Sequence, residues 1–218
     1  MIDVVIPTLN EAKALPGTLK ALLAAGFRLE EIIVVDGGST DGTRGIAEAS
    51  GVKCVEAGKG RASQLQAGVE NGTADTILFL HADTVVRPGA RDAILAARKN
   101  GSRWGAFERH FSPNSPVLAF GSLLAGLRMK LWGISYGDQA QWVCRDLLRA
   151  IGGVPPVPGM EDLELALRLR DLAPRAICKP AVTSSARRFS GGAWKRQRAD
   201  LRLVRDYIAA RGEGQTFR

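Results

Sequence analysis

The sequence predicts an α/β fold, a mainly parallel sheet flanked by helices, and three observations carry that expectation. Short β-rich runs alternate with helical patterns through the first hundred residues. Glu31–Val35 and Thr76–Leu80 are apolar runs of the kind buried on both faces of a sheet. A strand–helix–strand order of this kind closes as a parallel sheet with right-handed crossovers. At 218 residues the chain is long enough for a substantial core and is expected to form one domain, 1–218. Its first half, about 1–100, is regular, and its second, about 101–218, is less so.

The first strand is expected over Ile2–Pro7, ended by the proline. Leu15, Leu19, Leu22 and Leu23 recur at helical spacing within Glu11–Ala25. After the second strand, Thr43–Ser50 reads as a helix, Lys53–Val55 as a short strand, and Ala62–Asn71 as a helix. Thr76–Leu80 is the most hydrophobic strand, and Ala90–Lys99 the next helix. Trp104–Glu108 and Gln141–Cys144 are strand candidates separated by Pro116–Trp132, a mostly helical apolar segment. Arg145–Ala150 is expected to be helical, and the three prolines of Gly152–Gly159 mark a loop. Asp162–Leu172 is expected as a helix and Lys179–Ser185 as a strand. Ala193–Ala210 aligns Trp194, Gln197, Leu201, Val204 and Ile208 on one stripe of an amphipathic helix.

Composition excludes several classes. Three separated cysteines, Cys54, Cys144 and Cys178, fit neither a disulfide framework nor a zinc site, and they suit a reducing cytoplasm. Asp3 interrupts any signal-peptide pattern. The net charge is +8, of which nine Lys/Arg and three Asp/Glu between Ser185 and Arg218 supply +6. A basic end of this kind attracts anions, or is simply a solvated helix face. Aromatics are 6% and no recognition module is visible, so nucleic-acid binding is not expected. The first strand-to-helix turn lacks the glycine fingerprint of a dinucleotide enzyme, and Gly58-Lys59-Gly60-Arg61 is not a P-loop. No Gly-x-Ser-x-Gly elbow is present.

Four carboxylate-bearing stretches follow in order: Asp36-Gly37-Gly38-Ser39-Thr40-Asp41-Gly42, Leu80-His81-Ala82-Asp83-Thr84, Tyr136-Gly137-Asp138-Gln139 and Met160-Glu161-Asp162. Carboxylates at strand ends gather at the edge of a parallel sheet where ligands bind. Asp36 can accept from a ribose or base, with Gly37 and Gly38 permitting close approach, or it can cap a turn; capping is the better reading of Asp41. An unpaired charge at Asp83 would be costly after so apolar a strand, so it needs a partner, and a divalent cation on a diphosphate is one. Glu161 and Asp162 suit a helix N-terminus whatever else they do, and Asp162 is a candidate proton acceptor.

Together with Val5-Ile6-Pro7-Thr8-Leu9-Asn10-Glu11 and Gly60-Arg61-Ala62, these stretches resemble a family 2 glycosyltransferase with the GT-A fold, over nearly the whole chain. The resemblance extends to the small bacterial branch associated with radical-SAM and selenodomain proteins. It implies a nucleotide-binding half (about 1–100) and an acceptor-side half (about 101–218). Pro7, Thr8, Glu11 and Asp36 would hold the nucleoside of a nucleotide diphosphate sugar, with Arg61 facing the same pocket. Asp83 would carry Mg²⁺ or Mn²⁺, with His81 where many relatives have a first Asp. Asp162 would be the catalytic base with Glu161 beside it, and Asp138 and Gln139 would lie near the sugar or acceptor. Inverting transfer to an acceptor hydroxyl follows, the acceptor being a lipid, a saccharide or a small molecule.

Two departures stand out. No histidine follows His110, where many relatives supply a late metal ligand, so Arg187 and Arg188 are candidates to share the diphosphate charge. Gln66 stands where related chains often have asparagine. A sugar-nucleotide pyrophosphorylase is an alternative, although Pro7-Thr8-Leu9-Asn10 is not its glycine- and arginine-rich loop; a non-catalytic binding module is another. Val117–Trp132 reads either as a core or dimer-forming helix, or as an amphipathic helix on the inner face of the membrane with Arg128 and Lys130 at its polar edge.

Overall fold

The computed structural model describes residues 1–212. Its first half is β1 (Ile2–Thr8), α1 (Leu15–Ala24), β2 (Ile32–Asp36), α2 (Thr43–Ala49), β3 (Lys53–Glu56), α3 (Arg61–Glu70) and β4 (Thr76–Phe79). Then follow β5 (Thr84–Val85), α4 (Ala90–Lys99), β6 (Trp104–Ser112), α5 (Pro116–Trp132), β7 (Trp142–Cys144), α6 (Arg145–Ala150), α7 (Glu161–Leu169), β8 (Arg175–Ser185) and α8 (Ala193–Gly212). The strands form one sheet in the order β3-β2-β1-β4-β7-β6-β8-β5. The β3-β2-β1-β4 half is wholly parallel. β7 runs antiparallel between β4 and β6, β6 and β8 are parallel, and β5 closes antiparallel on β8.

The predicted elements form, with boundaries moved for physical reasons. All of β2 is buried, as its unbroken apolar run implies. α1 starts at Leu15 rather than Glu11, because the amides of Glu11 and Ala12 donate instead to Thr43 Oγ1 (2.8 Å) and Asp41 Oδ2 (3.1 Å). β6 continues to Ser112 through a register shift between Phe107 and Arg109 that breaks the alternation a sequence reading depends on. β8 begins at Arg175, four residues earlier than expected. The two-residue β5 carries no periodicity and was not anticipated.

Packing fixes where the strand ends point. α3 lies close on the sheet because Gly68 has no Cβ; one added there would stand 2.2 Å from Val5 Cγ1. The two halves are clamped at the opposite end by Asp3. Buried in β1, it accepts from Ala74 N (2.8 Å) and Arg145 Nη2 (2.5 Å), while Arg145 also donates to Ala74 O (2.6 Å) and Val69 O (2.7 Å). Burial of both partners makes this pair expensive to break from one side only.

α5 departs from the core reading. Ser115 caps it by accepting from Leu118 N (3.3 Å), and Pro116 occupies the first helical turn. Only Leu118, Ala125 and Met129 are buried, whereas Phe120, Leu123, Leu127, Leu131 and Trp132 are exposed. Arg128 is not at a polar edge; it turns toward the interior described below. Among the described residues no helix is long and apolar enough to cross a membrane.

Arg145→Ala leaves Asp3 as an uncompensated buried charge and is expected to cost about 3–5 kcal/mol of stability, measured by denaturant unfolding. A loss under about 1 kcal/mol would show that the clamp does not hold the halves together.

Candidate active site

The carboxyl ends of β1 and β2 are locked by an interlaced pair of loops. Asp36 accepts from Gly38 N (3.1 Å), Ser39 N (2.9 Å), Ser39 Oγ (2.5 Å) and Thr8 Oγ1 (3.3 Å). Burial would raise its pKa, but these bonds outweigh it and hold the carboxyl below its ordinary value. Four donors nearly saturate its lone pairs, so a nucleoside contact at Asp36 exchanges with Ser39 or Thr8. Asp41 braces the turn leading into α2, whose N-cap is Gly42, by accepting from Thr43 N (3.1 Å) and Thr43 Oγ1 (2.5 Å). Asn10, in the left-handed region at φ 58°, accepts from Thr40 N (2.8 Å). Pro7 pairs with Val35 in the β1–β2 register.

Gln64, unremarked in the sequence, staples these ends from α3. Its Nε2 donates to Thr8 O (2.8 Å) and Val35 O (2.9 Å). Gln66 faces elsewhere and accepts from Val154 N (2.9 Å), holding the Gly152–Gly159 loop.

Arg187 bridges two site carboxylates. It donates to both oxygens of Glu11, at 2.8 Å to Oε2, and its Nε lies 3.1 Å from Asp83 Oδ2. Burial raises the Asp83 pKa and Arg187 opposes that. This guanidinium stands beside both carboxylates, as the sequence candidate for sharing the diphosphate charge. Glu11 and Asp83 are hard oxygen donors that share Arg187 as a partner. Such a set suits Mg²⁺ or Mn²⁺ held by one or two carboxylates, with substrate phosphates and water completing the shell. Among the described residues no group of three or more His, Cys, Asp or Glu gathers to hold a metal by itself.

Asp162 is a carboxylate whose pKa is raised. α7 begins one residue before it, and its oxygens accept from Gly137 N (2.6 Å) and Leu163 N (2.7 Å). Burial, then the neighbouring Glu161, push its pKa up to about 6. Glu161 is fully buried, accepts from Arg61 Nη1 (3.1 Å), and leaves Oε2 without a partner among the described residues. His81 packs against Gly137, where an added Cβ would lie 2.5 Å from His81 Nε2. Burial and the Arg61 charge depress the His81 pKa to about 4, so it is neutral near pH 7.

Asp138 is buried and paired with Arg109, and Ser184 Oγ donates to its carbonyl (3.0 Å). Burial would raise its pKa, but Arg109 holds it below the ordinary value. Asp138 Oδ1 has no partner among the described residues.

Arg61, His81, Asp138 and Asp162 line a cavity of about 410 Å³ walled by α5 and α8. The wall is anchored by Glu164, which accepts from Arg168 (2.7 Å), Tyr207 (2.8 Å) and Arg211 (2.9 Å). Four predicted site residues thus meet in one group: Arg61, Asp138, Glu161 and Asp162. Thr8 and Asp36 form a second group at the strand ends, and Glu11 with Asp83 a third around Arg187. Gln139 joins none of them. It is buried, accepts from Arg128 Nη2 (2.9 Å) and Tyr136 N (3.3 Å), and donates to Phe107 O (3.4 Å), so it touches the cavity lining only through Arg128 and Tyr136.

The sequence pattern of Glycosyl transferase family 2 matches residues 3–114. The chain is 34% identical over 102 residues to the uncharacterized glycosyltransferase Rv0539 of Mycobacterium tuberculosis H37Rv, covering 46% of this chain and 45% of that one. It therefore spans about half the length of that relative. The fold matches Staphylococcus aureus TarS 1-349 with a TM-score of 0.68 at 16% identity, covering 84% and 60% of the two chains. It also matches the mannosyltransferase PcManGT of Pyrobaculum calidifontis, solved with GDP-Man and Mn²⁺, with a TM-score of 0.64 at 24% identity, covering 84% and 56%. The fold is that of the GT-A glycosyltransferases. The chain belongs to glycosyl transferase family 2.

Gly137→Ala would force its methyl against His81 and Asp162 and misplace the carboxylate. It is expected to keep the fold by circular dichroism while lowering nucleotide-sugar turnover at least about tenfold. Unchanged turnover would separate this turn from the chemistry.

Proposed function

We propose that the protein is an inverting glycosyltransferase that moves a sugar from a nucleotide diphosphate sugar to an acceptor hydroxyl, with Asp162 as the base. The observation that carries this reading is the Asp162 carboxyl. It lines a cavity, it is fixed by two backbone amides, and its pKa is pushed up to about 6. A base poised just below neutral pH is ionised at work and still takes a proton effectively.

The donor nucleoside lies at the ends of β1 and β2, against Pro7, Thr8 and Asp36. Its diphosphate extends past Asp83 and Glu11, and Arg61 stands at the cavity side. The GDP-Man and Mn²⁺ of the Pyrobaculum neighbour support a donor and a metal of these kinds. Mg²⁺ or Mn²⁺ on Asp83, with Glu11 adjacent, would neutralise negative charge on the diphosphate when bound. Arg187, which bridges the same two carboxylates, supplies a further positive charge there. The unpartnered Oδ1 of Asp138 is an acceptor for a sugar hydroxyl. The acceptor hydroxyl gives its proton to Asp162 as its oxygen attacks the anomeric carbon opposite the departing diphosphate. Glu161 does not face the attack; it raises the Asp162 basicity by proximity and holds Arg61.

Asp162→Asn is expected to lower turnover of UDP-glucose, UDP-GlcNAc or GDP-mannose about 10²–10⁴-fold. Calorimetric binding of UDP or GDP should survive, and full activity would remove Asp162 as the base. Asp83→Ala should abolish the Mn²⁺-dependent part of UDP or GDP binding. Metal-dependent binding that persists in this variant would move the ion to other ligands.

A further inference from the structure

α5 divides its surface three ways. Leu118, Ala125 and Met129 are buried, and Gly121, Leu124 and Arg128 line the Asp162 cavity. The flank beside the cavity stripe carries Phe120 (54% exposed), Leu123 (69%), Leu127 (46%) and Leu131 (56%), one ridge at helical spacing. α8 adds Trp194, Leu201 and Ile208 at seven-residue intervals, all exposed, and Leu201 also lines the cavity. An apolar surface therefore runs up to the cavity mouth. A contiguous patch of this kind marks an interaction site.

Charge says what covers it. α8 carries Lys195, Arg196, Arg198, Arg202, Arg205 and Arg211 against Asp200 and Asp206, and Lys130 is exposed on α5. A second copy seated face to face on this patch would bring the two cationic helices together. An anionic bilayer complements both the ridge and the charge, and a helix can lie in its plane without spanning it.

The cavity repeats the signal. Arg61, Arg109, Arg188 and Arg196 each pair with an acid. Arg128 forms no ion pair among the described residues. It donates to Ile134 O (3.1 Å) and Gln139 Oε1 (2.9 Å), and stacks 3.7 Å from the Tyr136 ring. This shielded guanidinium hydrogen-bonds only neutral acceptors and has Asp138 and Asp162 as its nearby carboxylates, so it retains capacity for an anion.

We propose that the α5–α8 face seats on an anionic membrane and draws the acceptor from it, an anionic lipid whose headgroup enters the cavity and meets Arg128. This rests on the cavity being the acceptor site. The headgroup hydroxyl then reaches Asp162 while its phosphate is held by Arg128, and the acyl chains remain against the α5 ridge.

Vesicle co-sedimentation tests the seating. Wild-type protein should pellet with phosphatidylcholine vesicles containing phosphatidylglycerol at low salt, and far less with phosphatidylcholine alone or at high salt. Leu123→Glu combined with Leu127→Glu should weaken this at least about tenfold. No pelleting at low salt, an unaffected double variant, or a light-scattering dimer dispersed by that variant would overturn the proposal. Short-chain phosphatidylglycerol should raise the Tm of wild type but not of Arg128→Ala; equal stabilisation by inorganic phosphate would refute the lipid. Hydrolysis of donor by water should be unchanged in the double variant. Wild type that binds no nucleoside diphosphate in calorimetry would instead count against the glycosyltransfer reading and leave the membrane test standing.

Discussion

The amide of Gly137 donating to the carboxylate of Asp162 at 2.6 Å joins the three parts that make up the site. Gly137 opens the turn that carries Asp138, Asp162 lies in the first turn of α7, and His81 follows β4 and packs on the glycine's bare Cα. Any side chain at 137 would push these apart. The bond also sets the chemistry, because it opposes two stronger tendencies. Burial and the adjacent Glu161 drive Asp162 toward its neutral form, whereas Gly137, Leu163 and Arg61 favour the anion. The balance leaves a carboxyl that titrates near 6 rather than near 4, a range in which a carboxylate serves as a base at neutral pH.

The two halves of the sheet divide the labour. The parallel half brings Thr8, Asp36 and the segment leading to Asp83 to one edge, as strands in one direction must. The mixed half supplies what that edge lacks. β7 continues the sheet from β4, the β6–β8 pair carries Arg109 and Ser184 to Asp138, and α5 with α8 encloses the cavity. Arg61 on α3 reaches across to Glu161 on α7, so the start of one helix in each half shares a charge pair beside the reacting centre.

Much of this was legible in the sequence, and the illegible parts have common physical causes. The apolar runs of β2 and β4, the loop at Gly152–Gly159 and the carboxylates that end strands follow from periodicity and local chemistry. The bulge in β6, the two-residue β5 and the early start of β8 depend on cross-strand partners distant in the chain. Asp162 was visible as a residue at a helix start, but its raised pKa required knowing that Glu161 is buried beside it. Arg187 was visible as a cation; its place between Glu11 and Asp83 was not. Gln64 and Gln66 are two residues apart on one helix, and only packing decides that the former reaches the strand ends. The exposure of α5 was the reverse of its simplest reading, because an apolar composition does not say which side of a helix finds a partner.

The account stands on Asp162 being an ionisable base whose strength is set by burial and then by Glu161, and the pH dependence of kcat/KM for donor turnover tests it most directly. Below pH about 6 the rate should fall tenfold per pH unit as Asp162 is protonated. In Glu161→Gln, which removes the neighbouring charge, that acid limb should move to lower pH, and in Asp162→Asn it should vanish. A limb near the ordinary carboxylate value of 3.8, or one that survives in Asp162→Asn, would contradict the account.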